Sequence, residues 1–181
     1  MPFDPELLDA LESSLVERIH GIVWRQVLHP TSVLRANFRG GRWNTSGIET
    51  LYCSLDPATA SAEIDALLAA QPIIITRQRF TYPVEVELSR VADIRPTPFG
   101  GPFDFDFDIN SADACRRIGA AASWLGLAGL LVPSVRSTGD NLIVFVTNQS
   151  PDDFLEPGEG MPYPPAPPAD FQWQALSNGS Q

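Results

Sequence analysis

The chain contains no lysine, so all twelve of its positively charged side chains are arginines. Without lysine, neither Schiff-base chemistry nor the lysine of a phosphate-binding loop is available. Cysteine and histidine are scarce as well, with two residues of each among 181. Two cysteines build no disulfide framework, and neither histidine has acidic or cysteine neighbours at the spacing of metal ligands. We therefore expect no metal site and no bound cofactor.

Long apolar runs are also absent. No stretch approaches the roughly 18 apolar residues that a membrane-spanning helix needs. The N-terminal segment carries acids where a signal peptide would carry lysine or arginine, so we expect a cytoplasmic protein with no membrane partner. The net charge of −10 argues against direct binding of nucleic acid, because contacts to phosphates need clustered cations.

Length and composition predict one folded domain. A chain of 181 residues, 44% hydrophobic and 19% charged, is sufficient for a single core. Several common catalytic and nucleotide-binding motifs are missing, namely the G-x-S-x-G elbow, the Walker phosphate loop and G-x-G-x-x-G. Any chemistry must therefore come from a less common constellation.

Helical and strand-like patterns alternate along the chain, which indicates an α+β domain with central β-sheets flanked by about three helices. The helices are predicted at residues 4–19, 56–70 and 111–125, and the strands at 21–28, 50–54, 72–88, 129–134 and 141–146. Pro83 is expected to interrupt the strand pattern around it.

The same patterns suggest a division of the chain. We expect an N-terminal helix within residues 1–20, a catalytic domain over 21–147, and a proline-rich tail over 148–181. The segments 29–47 and 95–109 are rich in glycine, proline and polar residues, which predicts long loops.

The arginines are distributed unevenly. Residues 18–48 contain five arginines and no acid, so the rest of the chain carries −15. A positive segment in an acidic protein fits an anionic small molecule, because arginine binds phosphate in a bidentate manner. Pairing of these arginines with distant acids in the fold is the alternative. The sequence GGRWN at 40–44 favours a ligand, since glycines allow close approach and Trp43 offers an aromatic face. A place in the hydrophobic core is the alternative for Trp43.

Two further segments contain candidate site residues. Glu63 borders the apolar stripe of its predicted helix, whereas Asp65 points nearly to the opposite side. The segment VPSVRSTGDN at 132–141 places Ser134, Arg136 and Ser137 in a loop between two apolar strand patterns, where binding sites are often built. A solvated glutamate and an ordinary hydroxyl-rich turn are the alternatives.

Together these segments resemble a known family. The matching elements are WR at 24–25, GGRWNTSG and LYCS within 40–54, Glu63 seven residues into a helix, and GLLVPSVRSTGDNLIVF at 129–145. This pattern is similar to the RES domain, named for its Arg, Glu and Ser. The resemblance implies a fold like that of ADP-ribosyltransferases and a toxin of a type II toxin–antitoxin pair. Its partner is expected to be a cognate antitoxin of the DNA-binding Xre type.

The resemblance also implies roles for single residues. The catalytic set would be Arg25, Glu63 and Ser134, with Ser137 as a competitor for the serine role. Substrate would be bound by Arg42, Trp43, Tyr52 and Asn141.

In this interpretation the arginines hold the pyrophosphate and ribose of NAD, and Tyr52 packs against the nicotinamide end. Glu63 stabilises the positive charge that develops as nicotinamide leaves, and water or inorganic phosphate captures the ribosyl group. Two other functions stay open: an ADP-ribosyltransferase that modifies a protein, and a non-catalytic module that binds a nucleotide.

Overall fold

The computed structural model describes residues 2–72, 77–96 and 102–164. Three α-helices lie in these ranges: α1 (Pro5–Ser13), α2 (Pro57–Ala69) and α3 (Ala112–Trp124). The strands are β1 (Leu15–Leu28), β2 (Thr50–Ser54), β3 (Arg79–Asp93), β4 (Gly129–Pro133), β5 (Asp140–Phe145), β6 (Phe154–Pro157) and β7 (Met161–Tyr163). The prediction of an α+β domain with three helices is confirmed for this part of the chain.

Five of the strands close into a barrel. The sheet runs in the order β1-β2-β5-β4-β3, and β3 pairs with β1 again over the register Leu15↔Ala92 to Leu28↔Arg79. All of these pairings are antiparallel except that of β3 with β4. The predicted sheets are therefore one sheet that returns to its first strand.

The hydrophobic core has two parts on opposite faces of the barrel wall. One cluster draws on all five barrel strands and on no helix, so it fills the barrel interior; Val23, Leu51, Val86 and Leu142 belong to it. The other cluster joins α1 and α3 to the outer face of β4 and β5. Alternation of side chains along each strand assigns neighbouring residues to the two faces.

The predicted N-terminal helix over 4–19 is wrong in its second half. The helix begins after the N-cap Asp4 but ends at Ser13, and the hydroxyl of Ser14 donates to the Leu11 carbonyl. From Leu15 onward the chain belongs to β1, since this segment pairs with β3 along its whole length. Tertiary pairing outweighs the helical spacing of the apolar residues here.

Two predictions about the second half of the chain also need correction. Pro83 does not interrupt its strand: β3 is continuous, and the Pro83 carbonyl accepts a hydrogen bond from the Gly158 N–H. The expected tail over 148–181 begins with two strands, β6 and β7, that pair with β3. Residues 165–181 and most of the apolar run at 72–76 lie outside the described residues.

Within the described ranges, no helix is both long enough and apolar enough to cross a membrane. The same ranges bring no three acidic, histidine or cysteine side chains together in a metal-binding group.

Candidate active site

Glu63 lies in the middle of α2 and points to one end of the barrel wall. Its Oε1 accepts two hydrogen bonds, from the Ser134 hydroxyl at 2.7 Å and from the Asn141 side-chain amide at 2.9 Å. Ser134 follows β4 directly, and Asn141 is the second residue of β5. The structure thus brings together one residue of the predicted catalytic set from a helix, one from a loop, and a predicted substrate-binding residue from a strand.

The arrangement leaves Glu63 with one fixed and one open oxygen. Within the described part of the chain, Oε2 of Glu63 has no hydrogen-bond partner. Both donors on Oε1 are neutral, so the carboxylate is held in place without an ion pair. A carboxylate of this kind can face a substrate with its second oxygen and keep its orientation.

Ser54 orients Asn141. The Ser54 hydroxyl donates to Asn141 Oδ1 at 2.7 Å, which leaves the Asn141 amide group to face Glu63. Ser54 and Asn141 are partners in the antiparallel pairing of β2 with β5, and both are buried. The cross-strand pair therefore fixes which end of the amide meets the carboxylate.

The loop between β4 and β5 separates the two candidate serines. Ser134 Oγ accepts hydrogen bonds from the backbone N–H groups of Arg136 and Ser137, at 3.0 and 3.2 Å, while it donates to Glu63. The Ser137 hydroxyl instead lies 2.8 Å from that of Thr59. Ser134 is the serine in contact with the glutamate.

A cavity of about 450 Å³ borders this loop. Its wall includes Ser134, Ser137 and Asp140, together with Asp93 and Arg95. Arg95 donates to Asp93 at 2.6 Å and to Asp140 at 3.1 Å. Burial raises the pKa of Asp93, but the hydrogen bonds and the charge of Arg95 outweigh this effect and hold that pKa below its ordinary value. Neither Glu63 nor Arg25 is among its lining residues in the described ranges.

Arg25 makes no hydrogen bond with Glu63, Ser134 or Asn141, although its neighbour Trp24 pairs with Ser54 across β1 and β2. Arg25 lies two residues from both Val23 and Val27 on β1, so its side chain shares their inner face of the barrel, beside Cys53. Its Nη1 is buried and has no hydrogen-bond partner among the described residues. Burial raises the pKa of the Cys53 thiol to about 11, so the thiol is neutral at pH 7. Burial also lowers the pKa of the Arg25 guanidinium, but an arginine keeps its proton in proteins.

The remaining arginines of the positive segment differ from one another. Arg18 pairs with Glu87 on β3, as the alternative interpretation expects for all five. Arg42 donates to the backbone carbonyls of Ile109 and Asn110, at 2.9 and 3.4 Å, before α3. None of the positions 25, 35, 39 and 42 forms a salt bridge with another described residue.

Trp43 is a core residue in this structure. Only 2% of its surface is exposed, and its ring meets Phe107 edge-on at 6.3 Å between centroids. The backbone of Trp43 also lies against α3, because a Cβ on Gly119 would lie 1.8 Å from the Trp43 carbonyl oxygen. The expected open aromatic face is thus covered, and the tryptophan fixes the loop by packing.

Tyr52 holds the same loop from the side of β2. Its hydroxyl accepts a hydrogen bond from the Trp43 N–H at 3.0 Å and donates to Asn44 Oδ1 at 2.7 Å. Burial raises the pKa of Tyr52 to about 12. Gly41 permits this contact, since a Cβ there would lie 2.5 Å from the Tyr52 hydroxyl.

Two residues of the site are not evident from the sequence alone. Ser54 and Thr59 are small hydroxyl residues near a strand end and a helix start, positions where such residues commonly satisfy only local hydrogen bonds. Their spacing from Glu63 gives one clue for Thr59, which lies four residues earlier on the same helical face. The role of Ser54 can be found only from the register of β2 with β5, which places it opposite Asn141.

The comparisons with known proteins agree with this architecture. The RES domain family matches residues 15–173, most of the chain, and the protein belongs to that family. No curated protein matches the sequence at a significant level.

The fold is similar to that of a chain in the crystal structure of the M. tuberculosis MbcT–MbcA toxin–antitoxin complex. The TM-score is 0.74 at 19% sequence identity, and the match covers 88% of this chain and 92% of that chain. The likeness extends the shared fold through nearly the whole molecule.

Proposed function

We propose that the protein is the toxin of a type II toxin–antitoxin pair and that it degrades NAD by cleaving the bond between nicotinamide and ribose. The observation that supports this proposal most strongly is the Glu63 carboxylate, held through one oxygen by Ser134 and Asn141 with its second oxygen open. Loss of nicotinamide from NAD leaves positive charge at the ribose C1′, and a fixed carboxylate stabilises that charge.

Arg25 supplies a second argument for a substrate with negative charge. An unpaired guanidinium nitrogen in a buried position costs free energy unless a ligand satisfies it. A phosphate oxygen of NAD is an acceptor that suits arginine in charge and geometry. In the proposed function Arg25 binds the pyrophosphate, and Glu63 acts at the ribose.

Arg42, Tyr52 and Trp43 take a supporting part in this proposal. Arg42 and Tyr52 fix the loop at 40–44 through backbone carbonyls, the Trp43 N–H and the Asn44 side chain. Direct contact of Arg42 and Tyr52 with NAD stays a prediction, whereas the Trp43 ring is covered by the core. The relation to the ADP-ribosyltransferase fold is likewise part of the proposal.

A protein partner is part of the same proposal. The structural neighbour comes from a toxin–antitoxin complex, and family membership makes an antitoxin the expected partner here. A net charge of −10 favours a partner with a basic surface, which suits a DNA-binding antitoxin of the Xre type. In this proposal the toxin acts in the cytoplasm.

The experiment that tests the proposal follows nicotinamide release from NAD by the purified, partner-free protein, with and without inorganic phosphate. We expect release, and its product identifies the acceptor: ADP-ribose indicates water, and ADP-ribose 1″-phosphate indicates phosphate. Label that passes from NAD to a protein would instead identify an ADP-ribosyltransferase. Binding of NAD without any release would overturn the proposal in favour of a nucleotide-binding module.

A further inference from the structure

The loop that carries Ser134 contacts α2 at two points. The first is the hydrogen bond from Ser134 to Glu63. The second lies one helical turn earlier, where the Thr59 hydroxyl is 2.8 Å from the hydroxyl of Ser137. Residues four apart on a helix share a face, so both contacts press the same loop onto the same side of α2.

Asp56 also binds Thr59, and this contact decides which hydroxyl donates in the hydrogen bond between Thr59 and Ser137. Asp56 is the N-cap of α2; its Oδ1 accepts from the Thr59 N–H at 2.8 Å and its Oδ2 from the Thr59 hydroxyl at 2.6 Å. A hydroxyl has one proton, and that of Thr59 goes to Asp56. The Ser137 hydroxyl therefore donates to Thr59, and the hydrogen bonds run from Ser137 through Thr59 to Asp56.

The geometry around this contact leaves little freedom. Thr59 is 1% exposed. A Cβ on Gly139 would lie 2.1 Å from the Thr59 hydroxyl oxygen and 2.4 Å from Asp56 Oδ2. The Gly139 N–H also donates to the Ser137 hydroxyl at 3.1 Å, and its carbonyl accepts from the Ser134 N–H. Hydrogen bonds within the loop 134–139 therefore link its two ends, and the loop packs against the first turn of α2.

We propose that Asp56, Thr59 and Ser137 are positioning residues that set the place of Ser134 against Glu63. Ser134 Oγ is oriented by the Ser137 N–H, so a shift of Ser137 moves the donor of the hydrogen bond that fixes the carboxylate. A displacement of about 1 Å can lower the rate of a catalytic step about a hundredfold. The proposal rests on the proposed function where it calls that carboxylate catalytic.

The test compares Thr59→Val with Thr59→Ser. Valine keeps the shape and removes the hydroxyl, whereas serine keeps the hydroxyl. Ser61→Ala is the matched control, since Ser61 also carries a hydroxyl on α2 but contacts Gln26 and the Pro57 carbonyl instead. Ser137→Ala is the second variant, because it breaks the contact from the loop side and leaves the Asp56 cap intact.

Two readouts separate this proposal from a merely structural role. We expect Thr59→Val and Ser137→Ala to lower kcat about tenfold with KM nearly unchanged, as a misplaced catalytic group does. The carboxyl ¹³C resonance of Glu63 should move in both variants in the direction seen for Ser134→Ala. Thr59→Ser should restore both quantities, and Ser61→Ala should match the wild-type protein.

A Glu63 resonance that moves in Ser134→Ala but stays at its wild-type position in both Thr59→Val and Ser137→Ala would overturn the proposal. The proposal would also be overturned if kcat fell in parallel with Tm in these variants and Thr59→Ser failed to restore kcat. The resonance needs no substrate. If the wild-type protein releases no nicotinamide, the proposed function fails, while the resonance still decides whether these residues position Glu63.

Discussion

The loops at 40–44 and 134–139 both combine glycine, arginine and residues suited to ligand binding, yet different contacts hold them. The first loop is anchored by packing, with Trp43 in the core and its backbone against Gly119, and by hydrogen bonds of Tyr52. The second is anchored by hydrogen bonds to α2, through Ser134 to Glu63 and through Ser137 to Thr59. The first loop packs into the hydrophobic core, and the second contacts the Glu63 carboxylate through Ser134.

The difference shows that a glycine-rich polar segment does not by itself indicate a binding site. What separates the two loops is the kind of group they meet. Loop 40–44 contacts α3 at Gly119, which has no side chain, so the backbone of the loop packs directly against the backbone of the helix. Loop 134–139 meets a helix face with an acid and a hydroxyl one turn apart. Substitutions in the first loop should therefore affect stability, and those in the second should affect chemistry.

The largest effect on stability is expected for Gly119→Ala. The new methyl group would overlap the Trp43 carbonyl oxygen and push loop 40–44 away from α3. We expect a loss of about 3 kcal/mol in the free energy of unfolding, which lowers Tm by roughly 6–12 °C. Thermal unfolding measures this change. Gly21→Ala is the control, because no atom lies within 4 Å of a Cβ at that position; equal Tm values for the two variants would contradict the packing role.

Arg25→Met tests a buried side chain that forms no hydrogen bond with either of the two loops. Nη1 of Arg25 is buried and has no hydrogen-bond partner among the described residues, so removal of this charge should leave the free energy of unfolding unchanged or higher. We expect kcat/KM for NAD to fall about a hundredfold, as for loss of an arginine–phosphate contact. Calorimetry and nicotinamide release measure the two effects. Arg18→Met on the same strand is the control, since Arg18 is exposed and paired with Glu87; a similar fall in that variant would refute a specific role for Arg25.

Tyr52→Phe tests the first loop by its hydrogen bonds alone. The substitution removes the partner of the Trp43 N–H and of Asn44 Oδ1 and keeps the ring. We expect a loss of about 1–2 kcal/mol in the free energy of unfolding, with kcat/KM nearly retained. Urea unfolding gives the value. Tyr82→Phe serves as the control, because the Tyr82 hydroxyl makes no hydrogen bond to another described residue. A Tyr52→Phe variant of full stability and low kcat would place this tyrosine with the chemistry instead.

The smallest effect concerns pH. The side-chain hydrogen bond from Thr59 is the main cause that lowers the pKa of Asp56. A depressed pKa means that the charged form stabilises the fold above the ordinary value of about 3.9, and this contribution is lost as pH falls through the folded-state pKa. The stability difference between wild type and Thr59→Val should therefore narrow below about pH 4. Urea unfolding at pH 7 and pH 3 measures it; a difference independent of pH would exclude this linkage.

Local signals in the sequence predict several parts of the fold. Asp56-Pro57 and Ser111 predict the starts of α2 and α3, because an N-cap and an N1 proline act within one turn. The helical spacing also predicts that Glu63 and Asp65 point to different sides of α2, and Glu63 meets Ser134 and Asn141 whereas Asp65 pairs with Arg79. The strand patterns at 129–134 and 141–146 correspond to β4 and β5 within one residue at each end.

Features set by long-range pairing could not be predicted in this way. The segment from Leu15 to Ile19 has helical spacing but pairs with β3, and the proline-rich segment after residue 148 adds β6 and β7 to the same strand. The role of Ser54 depends on its register with Asn141 across two strands. The burial of Trp43 depends on Gly119, which lies 76 residues further along the chain.

The most direct test of the central claim is nicotinamide release from NAD by Glu63→Gln beside Asp65→Asn. The glutamine keeps the size of the side chain and removes the charge, whereas Asp65 is exposed on the same helix and pairs with Arg79. We expect Glu63→Gln to lose at least about a hundredfold in kcat at unchanged Tm, and Asp65→Asn to keep wild-type kcat. Release by a folded Glu63→Gln protein at the wild-type rate would contradict the account.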